Sequence, residues 1–414
     1  MAELVAPHKY TLELVHSWLE HHGVPSYSIS NSHGGGWLKI IGVPVSQADE
    51  LLSASYKLYR HTGTNETEVI LRTISYGLPA ALHAHVESVA PTTYFVSQRT
   101  PMTFHKRFSE AAVTSNATSG ELDRVLSRRE NSVKPSFLRS LYGTVTYVPA
   151  MIGHNTLGIL GFENQYPDQR DLTAFMGVCR QDAAAATFTV KQVNGGGDDP
   201  SNPGKEASLN VQYAGAMTFP IPQIFYSTGG QLRWSENKPV PGDAYHELLN
   251  YLLGLPDNVI PLTISLSYIN HEPSLPREYA KTICDLFKRL GVRGVSVLVA
   301  SGDEGVGSAE GSDSPRPVPF IPTFPASCKC GDLSRSPLRR KLLTRPRFAG
   351  PFVTSVGGTM GDDPEVAIPL SGGGFSRYFP REKYQEAVVS TFLHHLGDKY
   401  AGFYKCVRRR DNST

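Results

Sequence analysis

Leu12, Val15 and Leu19, flanked by Leu14 and Trp18, recur every three or four residues and outline one broad apolar helix face. The face stops at Gly23 and Pro25, where a helix end belongs. A Gly34-Gly35-Gly36 turn then leads into a strand at 37–41. Ser46 is placed to cap a second helix, with Asp49 in its first turn and Leu51, Leu52 and Tyr56 turned inward. Residues 69–73 predict another strand and 79–86 a short helix, which gives an α+β unit over 1–98. From 99 to 134 the pattern dissolves into Ser, Thr, Asn and charge clusters, the signature of an exposed linker. Within it, Ser127-Arg128-Arg129-Glu130-Asn131 offers an easy cutting point, or a plain connector.

From Pro135 onward, apolar strands alternate with amphipathic helices. Strands are predicted at 157–162, 188–193, 224–226, 259–265 and 295–300. Helices are predicted at 171–176, around Glu206, at 244–253 and at 276–290. Continuous apolar runs such as 295–300 fit a parallel sheet covered on both faces, so 135–414 reads as a doubly wound α/β domain. The stretch 329–350, rich in Arg and Lys and without periodicity, has the character of translated non-coding sequence and interrupts it as an atypical insertion.

Candidate chemistry clusters in this domain. Glu206 and Asn210 lie four apart on a helix and so share one face. Two carboxyl groups there would hold one proton between them, but an Asn cannot take that part. Ser301-Gly302-Asp303 directly follows an apolar strand, where ligands gather in such sheets. Taken alone, Asp303 equally fits a turn acid binding backbone amides, and Asn210 a helix-surface residue. The Gly195-Gly196-Gly197 run lacks a phosphate-loop pattern and reads as a turn. His394-His395 are adjacent on a helix and do not share a face, which argues against a metal pair.

Those residues and their order, with Val353-Thr-Ser-Val-Gly-Gly-Thr359 and Ser371-Gly-Gly-Gly-Phe-Ser376 downstream, resemble the sedolisins, the serine-carboxyl peptidases, and most closely their fungal tripeptidyl-peptidase-like members. The resemblance implies a subtilisin-like parallel sheet, incomplete at the C-terminus, behind a partial activation prodomain that inhibits its own domain. It makes Glu206 the general base, Asn210 the residue that orients it, and Asp303 the protonated acid completing the oxyanion hole. Ser371, Gly372, Gly373 and Gly374 become substrate-binding, and the loop of His271 and Glu272 inherits a substrate-side role that Ile269 weakens. The family's nucleophile lies in a Gly-Thr-Ser-x-Ser-x-Pro segment that these 414 residues do not contain, and its calcium loop is missing too. The expectation is therefore a peptidase precursor truncated at both ends and inactive as written. The alternative is a non-catalytic protein that binds peptides or inhibits an intact relative.

Composition narrows the partners. A net charge of +2 and arginines without interleaved aromatics give no nucleic-acid face, and no run of about 18 apolar residues predicts a membrane span. The resemblance implies secretion, although Met1 is not followed by a visible signal peptide. Cys179, Cys284, Cys328, Cys330 and Cys406 lack zinc spacing and read as one structural disulfide plus stray thiols, so no metal ligands are assigned. Sequons begin at Asn65, Asn116 and Asn412.

Overall fold

The computed structural model describes residues 7–31, 36–60, 69–93, 133–150, 152–230, 243–305, 320–328, 352–361 and 363–398. The sequons, the cutting point at 127–131, the insertion at 329–350, Cys330 and Cys406 all lie outside the described residues.

In the N-terminal unit, α1 (Lys9–His21) is followed by the antiparallel pair β1 (Ile29–Asn31) and β2 (Leu38–Ile40). Then come α2 (Val45–Leu51) and a second pair, β3 (Lys57–Arg60) and β4 (Val69–Arg72). Val15, Leu19, Val24, Leu51, Leu52 and Leu82 form its core, with Trp18, Leu38 and Ile40 against it. Two local expectations fail. Ser46 lies inside α2, because Pro44 takes the cap position and its carbonyl accepts the first helical bond, from Ala48 N at 3.0 Å. The predicted helix at 79–86 is only a 3₁₀ turn, Ala80–Leu82, where Leu82 alone is buried and too little apolar surface is covered to extend it.

The second unit runs through α3 (Pro135–Leu141), β5 (Leu157–Gly161), α4 (Gln169–Cys179), β6 (Phe188–Val193), α5 (Lys205–Thr218) and β7 (Gln223–Thr228). It continues with α6 (Ala244–Gly254), β8 (Thr263–Leu266), β9 (Asn270–His271), α7 (Arg277–Val292), β10 (Ser296–Ala300) and β11 (Thr323–Phe324). The last elements are β12 (Thr354–Val356), β13 (Thr359–Met360), β14 (Val366–Ala367) and α8 (Glu386–Leu396). Asp168 and Asp243 start α4 and α6 by accepting a hydrogen bond from a first-turn amide, at 2.7 and 2.8 Å.

Six strands form one parallel sheet in the order β12-β10-β8-β5-β7-β6. All five β5 residues are buried, as its central position and two covered faces require. α4 and α5 pack on each other and onto the face of Leu157, Ile159 and Phe225. α6 and α7 cover the opposite face, that of Leu160, Tyr226, Leu266 and Val297. β5 leads out to β6 through α4, and β6 leads back to β7 through α5 on that same face. These two connections therefore have opposite hands. α4, α6 and α7 share one hand, the near-universal right hand of such crossovers, and α5 has the other. The exceptional crossover is the one that carries Glu206.

A disulfide joins Cys284 on α7 to Cys328, just after β11, across a sequence separation of 44. The N-terminal unit rests on α6 and α7. Trp37 meets His246 edge-on with ring centroids 4.1 Å apart, Lys39 pairs with Glu247 at 2.8 Å, and Glu87 pairs with Lys281 at 2.7 Å.

Candidate active site

α5 approaches the sheet closely because its inward stripe is small: Ala207, Val211 and Gly215, each four residues after the last, are buried. Glu206 and Asn210 sit one position before the first two of these, at the rim of the stripe and towards the carboxyl ends of the strands. There Asn210 and Ser267, the first residue beyond β8, both lie near enough to Glu206 to favour its charged form. The Ser267 hydroxyl also lies 3.1 Å from Asn210 Oδ1. Asp303, three residues past the end of β10, is close enough for its charge to act on Glu206. The structure thus brings Glu206, Asn210 and Asp303 together.

Burial lifts the Glu206 carboxyl above the ordinary glutamate range. The bond from Asn210 opposes the lift, the charge on Asp303 adds to it, and Ser267 opposes it again. Asp303 is raised by burial and then by the adjacent Glu304. Glu304 itself pairs with His271 at 2.9 Å. Tyr268 is buried beside the cluster, and its phenol is pushed up by burial and by the charge of Glu206.

The glycine-rich run docks against the Asp303 turn. Gly372 N donates to Gly302 O at 2.8 Å, and Gly305 N to Leu370 O at 2.8 Å. A side chain on residue 372 would drive its Cβ to 2.0 Å from Ser301 O, so only glycine permits this approach. Gly302 takes a φ of +116°, a conformation side chains rarely adopt. Ser371 Oγ lies 3.3 Å from Ser301 Oγ and accepts a bond from Gly358 N at 3.1 Å. Gly373 and Gly374 are exposed at the rim.

Glu272 is fully buried, accepting from Ser376 Oγ at 2.5 Å and Arg377 N at 2.6 Å. It anchors the chain after the glycine run, while its neighbour His271 forms the partly buried pair with Glu304. Sequence reasoning missed Ser267 and Glu304. The signal for Ser267 was its place directly after an apolar strand. Among the described residues no group of three or more His, Cys, Asp or Glu could hold a metal.

Residues 1–95 match the family model "Pro-kumamolisin, activation domain". The chain is 32% identical over 411 residues to tripeptidyl-peptidase SED2 of Arthroderma otae, covering 97% of this chain and 64% of that relative. It is 33% identical over 411 residues to probable tripeptidyl-peptidase SED3 of Trichophyton verrucosum, covering 97% and 63%. It is 34% identical over 409 residues to tripeptidyl-peptidase SED4 of Arthroderma otae, covering 96% and 62%. The chain thus spans less than two thirds of the length of these relatives. Among solved structures it is similar to Pseudomonas sedolisin, a serine-carboxyl proteinase complexed with two molecules of pseudo-iodotyrostatin, with TM-score 0.43, 18% identity and coverage of 62% and 67%. With an activation-domain match at its start and tripeptidyl-peptidase relatives along almost its whole length, the chain belongs to the sedolisin family.

Proposed function

We propose that this chain carries the acid–base half of the site of a serine-carboxyl peptidase, a class acting on peptides in acid by tripeptide removal or by endopeptidase cleavage. The observation that supports this reading is the meeting of Glu206, Asn210 and Asp303 at the strand ends, from sequence positions about a hundred residues apart. In the reaction, a serine hydroxyl attacks the peptide carbonyl and passes its proton to Glu206 as the new C–O bond forms. Asp303, protonated, donates a hydrogen bond to the oxyanion. Glu206 then returns the proton to the leaving amine as the C–N bond breaks. Ser371, Gly372, Gly373 and Gly374 line the peptide. The N-terminal unit, docked on α6 and α7, acts as the intramolecular inhibitor of a secreted precursor.

The working state needs Glu206 ionised and Asp303 protonated, hence one proton on the pair. Two protons at low pH and none at neutral pH both abolish it, which gives a bell-shaped profile on the acid side of neutrality. No Gly-Thr-Ser-x-Ser-x-Pro segment occurs within the 414 residues. The 414-residue chain by itself therefore binds peptide without turning it over.

A fluorogenic tripeptide assay at pH about 4 tests this reading, given the acid chemistry. Peptide binding that weakens in Asp303→Asn, without turnover, is the expected result. Turnover that disappears in Glu206→Gln would show that the chain is complete as a catalyst. The absence of both binding and turnover would remove the peptidase reading.

A further inference from the structure

The contact between Ser267, Asn210 and Glu206 has a direction. Asn210 Oδ1 faces the Ser267 hydroxyl at 3.1 Å, which leaves the other end of the carboxamide, Nδ2, to donate to Glu206. Ser267 also lies near enough to Glu206 to bear on its charge. A hydroxyl has one proton and two lone pairs. When Glu206 is protonated, Ser267 accepts from it and donates to Asn210.

We infer that Ser267 is a positioning residue for Glu206: its hydroxyl donates to Asn210 Oδ1 and so fixes the carboxamide with Nδ2 towards Glu206, which then faces an oriented amide donor where an acid would form a shared-proton dyad. The inference rests on the peptidase reading only for its purpose, because the geometry stands without turnover. Facing Glu206 are Asn210 from its own helix, Ser267 and Tyr268 from the end of β8, and Asp303 from the end of β10. Of these, Ser267 is the one whose hydroxyl holds Asn210. An Asn in the dyad position is thereby accommodated without reversing the amide.

The test is carboxyl carbon NMR of the full chain with labelled glutamate, the Glu206 signal being assigned by its loss in Glu206→Gln. Ser267→Ala should raise the Glu206 midpoint by about one pH unit, since the amide becomes free to turn and the anion loses its oriented donor. Ser267→Thr should restore the parent midpoint. Asn210→Asp should replace the single step with two coupled steps. If Ser267→Ala does not fold, Ser267→Cys, which keeps the volume with a far weaker donor, should still move the midpoint upward. A midpoint unchanged in the folded Ala or Cys variant overturns the inference. The titration is read without substrate, so a shifted midpoint in a chain that neither binds nor cleaves peptide would sustain the inference while the functional reading fell.

Discussion

Two half-buried or buried titratable clusters sit on different parts of this molecule, and acid acts on them in opposite senses. At the strand ends, burial raises the carboxyl groups of Glu206 and Asp303, so falling pH neutralises them and relieves their repulsion. Under the N-terminal unit, burial and then the charge of Lys39 lower the His246 imidazole to about 4. There falling pH creates a charge, packed against Trp37 and facing Lys39. One cause, removal from water, thus settles the site and strains the docked unit as the solution becomes acid.

The most forceful way to break this comparison is to take the titration out of His246. Its folded pKa lies below the ordinary 6.5, so its contribution to stability is complete above that value and is lost as pH falls towards 4. The loss amounts to at most about 3 kcal/mol, or roughly two orders of magnitude in the docking equilibrium. Around it stand Lys39 and Trp37 from the N-terminal unit, and Glu247 and Asn250 from its own helix. Protection of the amides at 36–40, taken relative to the intrinsic exchange rate at each pH, should fall steeply between pH 6.5 and 4 in the parent chain. In His246→Phe, which keeps a ring against Trp37, it should stay flat. Global melting will show less, because Asp243 nearby, pushed up to about 6 by burial, stabilises the fold over much of the same interval as it becomes protonated. Equal slopes in both chains would separate docking from His246.

The converse experiment sharpens the other half. A carboxyl whose folded pKa is raised stabilises the fold in acid, and that contribution is lost as pH rises through the raised value. Glu206→Gln should therefore stabilise the chain at pH 7 by about 1 kcal/mol, the usual sign where a site is kept strained for chemistry, and should change little at pH 4. Chemical denaturation at the two pH values reads the difference. A Gln variant destabilised at pH 7 would mean that the bonds from Asn210 and Ser267 outweigh burial.

How much of this was legible beforehand differs between the two clusters for a physical reason. Glu206 and Asn210 were legible because four residues on a helix is a local relation, and Asp303 because an apolar strand announced the edge it follows. The parallel sheet was legible from runs such as 295–300, although β8 begins at Thr263 instead of at 259, since Val259 is exposed in the turn before it. Ser267 was not, because its meeting with Asn210, 57 residues away, depends on the strand order and on the unusual hand of the α5 crossover. His246 carried no signal at all. Its surroundings are made by Trp37 and Lys39, and the neighbouring Lys39–Glu247 pair already spans 208 residues.

The smallest expected effect separates the two causes acting on His246. The Lys39–Glu247 pair is partly open to solvent, with Lys39 exposed and Glu247 half-buried, so losing it should cost about 1 kcal/mol or less. Lys39 nevertheless has a second action, because its charge is one of the two influences that depress His246, the lesser after burial. Lys39→Met keeps most of the stem and removes the charge, so the His246 midpoint should rise and docking should loosen at a higher pH, while stability above pH 6.5 barely changes. An imidazole NMR titration reads the midpoint directly. If it stays where it is in the parent chain, burial beneath the N-terminal unit accounts for the whole depression, and the acid response belongs to Trp37 and the packing around it.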